Sequence, residues 1–391
     1  MGGFYNTLPM KKYILRTSAL WGRGLILALF TQYAYAITFA KTYGGRGWDV
    51  AYSVRQTSAG GYIVVGRTAA DVILIKTDAK GNIQWAKAYG GKNVDDARFF
   101  QQTSDGGYIV AGYTNSFGAG ELDIFLIKTD AKGNVQWAKT YGGIDSDDAS
   151  FVQQTSDGGY IVAGETNSFG AGERDIFLIK TDAKGNIQWA KTYGGTDDDF
   201  ASSVQQTSDG GYIVAGYTTS FGTGEGDIFL IKTDAKGNIK WAKTYGGRGS
   251  EGASSVRQTA DGGYIVVGNT NSFGAGKWDI FLIKTDAKGN IQWAKTYGET
   301  DNLDRGIPSV QQTSDGGYIL AGTTISFGAG GANIFLIKTN ARGNIGSCSI
   351  VQNASPTVNT VSPTVNTPSL SVSSPSFTVT SPNLTVSAPC P

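Results

Sequence analysis

An all-β architecture, a six-bladed β-propeller of four-stranded blades, is predicted by three features of this 391-residue sequence. Trp85, Trp137, Trp189, Trp241 and Trp293 recur every 52 residues, each inside a WAK(T/A)YG segment. A repeat of about 50 residues marks a propeller, a solenoid or another array. Within each repeat, four runs of strand-forming residues are divided by Gly, Asp and Asn turns, and no helical periodicity competes with them. The strand missing from the last repeat stands at the other end of the array, as expected of a closed ring.

In chain order, the first element reads as an export signal over residues 1–36, with its start at Met1 or Met10. Lys11, Lys12, Arg16 and Arg23 form a basic region, Leu25 to Phe30 a short apolar core, and Ala34-Tyr35-Ala36 a small-x-small cleavage site. That apolar run is far below the ~20 residues of a membrane span. The mature chain is therefore expected to be secreted or displayed at the cell surface, with no membrane span. Export permits disulfides, which makes Cys348 and Cys390 a candidate pair.

The propeller is expected over residues 37–345. In the third repeat, Ala149 to Thr155 alternates and meets a Ser-Asp-Gly-Gly turn. Tyr160 to Thr166, Asp175 to Thr181 and Ile187 to Tyr193 come next as β-branched and aromatic strands. Side chains alternate along a strand, so Phe177 and Ile179 face one neighbouring blade, and Ile176 and Leu178 the other. The five Trp are read as packing residues, each burying ~150–250 Å². The last repeat loses its WAKTYG segment after Asn344-Ile345, and Ile37 to Tyr43 supplies the matching sequence. This N-terminal strand is expected to complete blade six and close the ring, removing free sheet edges. Phe39 stands there in place of Trp, so that blade should be the softest.

The segment TSDGGYIV, as at Thr103 to Val110, resembles the Asp-box hairpin of secreted propellers. TDAKGNIQW, as at Thr181 to Trp189, is similar to the blade motif of quinoprotein-type propellers. The resemblance spans residues 37–345 and implies propeller architecture. Asp-box sialidases use a non-repeated cluster of Arg with Tyr and Glu, and no such set is evident in the sequence. Neither a vicinal Cys pair nor a cofactor pocket of the quinoprotein kind is evident either.

Composition excludes several chemistries. There are 33 Lys and Arg against 32 Asp and Glu, a net charge of +1, which argues against a nucleic-acid partner held by bulk charge. The absence of His rules out Ser-His-Asp and Cys-His triads and His-ligated metals. Propeller topology gathers acidic loops on one face, among them Asp145, Asp147, Asp148, Asp197, Asp198 and Asp199, and places the DAKGN turns on the other. Clustered carboxylates suit Ca²⁺, and these six residues are the candidate ligands; no other cofactor is implied. Acidic groups repeated around a ring suit multivalent contact better than catalysis, which needs one asymmetric constellation.

Residues 346–391 shift to Ser, Thr, Pro, Val and Asn. PSLSVSS, PSFTVTS and PNLTVSA begin at Pro368, Pro375 and Pro382. Apolar residues two apart, such as Leu370 and Val372, lie on one face of an extended strand. The tail reads as a Ser/Thr/Pro stalk or as an extended arm that docks on a neighbour by strand addition. Three functional classes fit these features. The first is a non-catalytic extracellular structural or adhesive subunit that self-associates through the tail or through opposite faces of the ring. The second is a multivalent propeller binding glycans or an extracellular protein, and the third is a hydrolase.

Overall fold

The computed structural model describes residues 39–45, 47–57, 59–275, 277–299, 309–325, 333–346, 350–366, 370–373, 378–380 and 385–387. The proposed signal, Cys348 and Cys390 lie outside them. The described residues are all-β, without helices, so no helix among them is long and apolar enough to cross a membrane.

The blades fall where the repeats place them. Blade three is typical, an antiparallel sheet of Asp147–Gln154, Tyr160–Thr166, Asp175–Thr181 and Ile187–Gly194. Its inner strand carries a bulge between Ala149 and Phe151, which kinks the ladder and increases the local twist. Gly158, at φ +82°, makes the left-handed corner of the first turn. Blades one, two, four and five repeat this pattern from Asp49, Asp95, Asp199 and Glu251.

Both faces of a blade are buried, as the alternation predicts. Phe177 and Ile179 pack with Ile124, Leu126 and Tyr141 of blade two. Ile176 and Leu178 pack with Val204, Val214 and Phe229 of blade four. Each such aliphatic side chain contributes about 1.5–3 kcal/mol of burial. The Trp residues pack part-buried against these clusters, as expected of packing residues. Trp137 lies edge-on to Tyr160 at 5.8 Å, its indole N–H donating to Ala183 O at 3.2 Å. The fully buried ring of the motif is Tyr141, whose hydroxyl donates to Gly185 O of the next blade at 2.7 Å. A phenol carries its polar atom at the tip, so it can be buried to the end and still find a carbonyl.

The tail is an intramolecular belt. Val351–Asn353, Thr357–Thr360, Thr364–Asn366, Ser371–Ser373 and Thr378–Thr380 pair with the outer strands of blades five, four, three, two and one in turn. Thr385–Ser387 then pairs with Thr42–Gly44. The expected strand addition to a neighbour is replaced by addition to the chain's own blades, which converts five four-stranded sheets into five-stranded ones.

The N-terminal strand lies at the seam between blades six and one. Thr42–Gly44 takes the outer-strand position against blade one: Tyr43 Oη donates to Gly81 O at 2.7 Å and Phe39 lies edge-on to Tyr62 at 5.7 Å. Its ladder to Asn333–Thr339, which would complete blade six, is absent among the described residues, where that blade has three strands. Blade six is also the least regular in sequence. Its DGGYI motif comes 54 residues after that of blade five rather than 52. Pro308 stands in the sequence just before Ser309–Gln312, the described part of its inner strand.

Candidate functional site

The loops between blades and those between second and third strands share one face. There, Asp145 N donates to Ser168 Oγ at 3.0 Å, and Ser146 Oγ to Glu121 Oε2 at 3.2 Å. The six proposed Ca²⁺ ligands divide into three roles on this face. Asp145 and Asp197 are exposed at loop tips. Asp147 and Asp199 are buried and brace the loops: Asp147 Oδ2 accepts from Gly143 N and Ser168 Oγ, both at 2.8 Å. Burial pushes both carboxyls up, against the pull of these donors. Gly142 lies between Asp123 and Asp147, and a Cβ there would push Asp123 Oδ1 aside. Asp148 and Asp198 turn to arginines. Among the described residues, no three Asp, Glu, Cys or His converge as a metal site.

The opposite face is held by ion pairs between Asp-box carboxylates and third-strand lysines. Lys128 is almost fully buried, and its ammonium donates to Asp105 Oδ2 and Thr129 O, both at 2.8 Å. Partial burial raises the Asp105 pKa, but donors from Lys128, Thr103 and Gly107 outweigh it and leave the carboxyl at about 2. Blades three and five repeat the pair. These groups are structural.

The distinctive chemistry lies where the copies differ. The second inner-strand residue is Val50, Asp96, Asp148, Phe200 or Gly252, and the fourth is Tyr52, Arg98, Ser150, Ser202 or Ser254. The sixth residue of the neighbouring strand is Arg67, Tyr113, Glu165, Tyr217 or Asn269. The fold gathers several of these, from blades one to four, into one polar mosaic. Asp96 Oδ2 accepts from Tyr52 Oη at 3.0 Å and Tyr113 Oη at 3.4 Å, and pairs with Arg67 at 3.5 Å. Arg98 lies over the Tyr113 ring at 5.0 Å and pairs with Asp148 at 3.3 Å. Arg174 holds Asp198 through two N–H···O contacts of 2.9 and 3.0 Å, reaches Glu165 at 3.4 Å and covers Phe200 at 5.5 Å.

Arg174 therefore holds the Asp198 carboxyl below its ordinary range despite partial burial. Asp148 moves the other way. Burial is the main cause, Arg98 opposes it and Glu165 adds to it, leaving a carboxyl pushed up to about 7. Its Oδ1 is buried without a hydrogen-bond partner. A non-repeated set of Arg, Tyr and Glu therefore exists, contrary to the sequence expectation. Near-identity of the copies concealed it; the few positions at which the copies disagree were its signal.

No protein-family model matches the chain. A curated relative, "Regulatory protein FlaEY" of Caulobacter vibrioides, is 26% identical over 209 residues, covering 47% of this chain and 22% of that protein. The chain thus spans less than a quarter of that relative's length. A solved structure titled "Crystal structure of the eukaryotic initiation factor" aligns over 76% of this chain and 90% of its own, at 8% identity and a TM-score of 0.31.

Proposed function

We propose that this chain is an exported, non-catalytic binding propeller, a belted ring that holds a glycan or an extracellular protein at the polar mosaic. The observation that carries this reading is the convergence of non-repeated Arg, Tyr, Asp and Glu residues from blades one to four on one face of an otherwise repetitive ring. Arg stacked on aromatic rings beside carboxylates is a surface suited to polar recognition, since the guanidinium offers fixed donors and an apolar face together. Structural assembly through the tail is the weaker alternative, because the tail strands pair with the chain's own outer edges. FlaEY carries the word regulatory in its name, which fits a binding role better than a catalytic one.

A glycan array probed with the full chain and with Arg98→Ser tests the reading. Ser is the residue of blades three, four and five at that position, so the variant is expected to keep the fold. Saturable binding that falls at least tenfold in the variant, about 1.4 kcal/mol, is the expected outcome. Turnover of a bound glycan that disappears in Asp148→Asn would instead place the chain among the hydrolases.

A further inference from the structure

The inner strands converge on a central channel, where the seventh residue of each in blades one to five reads Arg55, Gln101, Gln153, Gln205 and Arg257. These five line a cavity of about 160 Å³, with Phe99 and Phe151 as its apolar wall. Those two rings stack at 3.9 Å, and Arg257 lies over Phe151 at 5.7 Å.

The glutamine orientations are set by the fold. Gln101 Oε1 accepts from Gln154 N at 2.6 Å, Gln153 Oε1 from Gln206 N at 2.7 Å, and Gln205 Oε1 from Gln258 N at 2.6 Å. An amide has one acceptor end and one donor end. With three acceptor ends held by the next blade's backbone, the NH₂ ends are left for the channel. The two guanidiniums add donors and charge. Arg257 donates to Val256 O at 2.7 Å and Arg55 to Val54 O at 3.5 Å, each its own preceding carbonyl. Neither forms an ion pair with a carboxylate among the described residues. Burial, reinforced by the nearby Arg55 charge, lowers the Arg257 pKa.

We infer that this ring of donors is a binding site for a small oxyanion, best matched by a monocarboxylate that carries a compact apolar group. The inference does not rest on the mosaic, which uses other residues. A carboxylate accepts two parallel bonds from a guanidinium fork and further bonds from amide NH₂ groups. It also relieves the repulsion between Arg55 and Arg257. The apolar group rests on Phe99 and Phe151, and the volume sets its size: a cavity of about 150 Å³ accepts a benzene ring. The site is single, because Arg and Phe each occur at only two of its positions.

Titration calorimetry of the full chain with benzoate, acetate, inorganic phosphate and neutral benzamide tests the assignment. Benzoate is expected to bind saturably and more tightly than acetate or phosphate, more weakly as salt rises, and benzamide not at all. Arg257→Gln should weaken benzoate at least tenfold, with Arg55→Gln as a second variant. Both install the residue of blades two to four, and circular dichroism checks the fold. Phe99→Ser, again a residue used by other blades, should bring benzoate to the level of acetate. The assignment fails if no anion titrates, if benzamide matches benzoate, if phosphate binds as tightly as benzoate, or if both arginine variants bind benzoate unchanged.

Discussion

The junction between blades three and four and the seam between blades six and one are built from the same residue types and end in opposite states. Ile176 and Leu178 of blade three are 0% exposed, whereas their counterparts Ile334 and Leu336 of blade six are 90% and 66% exposed. On the receiving side, Val204 is 0% exposed and Val54 is 55% exposed. The strand DIFLIKT thus carries no burial of its own; the neighbouring blade confers it. In arrays, stability is a sum of unit and nearest-neighbour terms, and the seam is where one neighbour term is missing.

That contrast can be broken or sharpened by experiment. The largest effect is expected from ending the chain at Gly346, which removes every belt strand. Each ladder hydrogen bond is worth about 1 kcal/mol net, so the loss is several kcal/mol. The freed outer edges should also drive association, visible in light scattering. A shorter truncation, of residues 385–391 alone, should loosen only the seam, seen as faster amide exchange in Thr42–Gly44. Next comes Leu178→Ala, expected to cost about 2–5 kcal/mol in denaturant unfolding.

A smaller effect is expected from Asp148→Asn. The folded carboxyl sits at about 7, above its ordinary 3.8, so the protonated form favours folding. Its contribution is complete below about pH 4 and is lost as pH rises through 7. The variant should therefore melt higher than the parent at pH 8, by about 2–4 °C for each 1 kcal/mol, and lose that advantage at pH 4. The smallest change belongs to Leu336→Ala, within about 0.5 kcal/mol. A loss as large as that of Leu178→Ala would show the seam sealed in solution.

Much of the fold was legible because each blade repeats the same local chemistry. Turn residues, alternation and the 52-residue period agree in every copy from Asp95 to Tyr297. The belt was half legible. Leu370 and Val372 announced a strand, but only the three-dimensional order of the blades shows which edges it meets. The Trp residues were legible as packing residues, but not that Tyr141 and its equivalents are the fully buried rings of the same segment. The mosaic was missed for a different reason. Its members lie on separate repeats, at positions that matter through their differences, while the eye is drawn to what recurs.

The belt runs backwards around the ring, from blade five to blade one, and finishes on the strand that begins the ring. Tension applied between the two ends would therefore reach the pairing of Thr42–Gly44 with Thr385–Ser387 first. The belt would then peel from blade one towards blade five, one short strand at a time. Pulled in this way, the molecule behaves as a zip with five further teeth in front of an intact ring, and yields length in small steps before any blade opens.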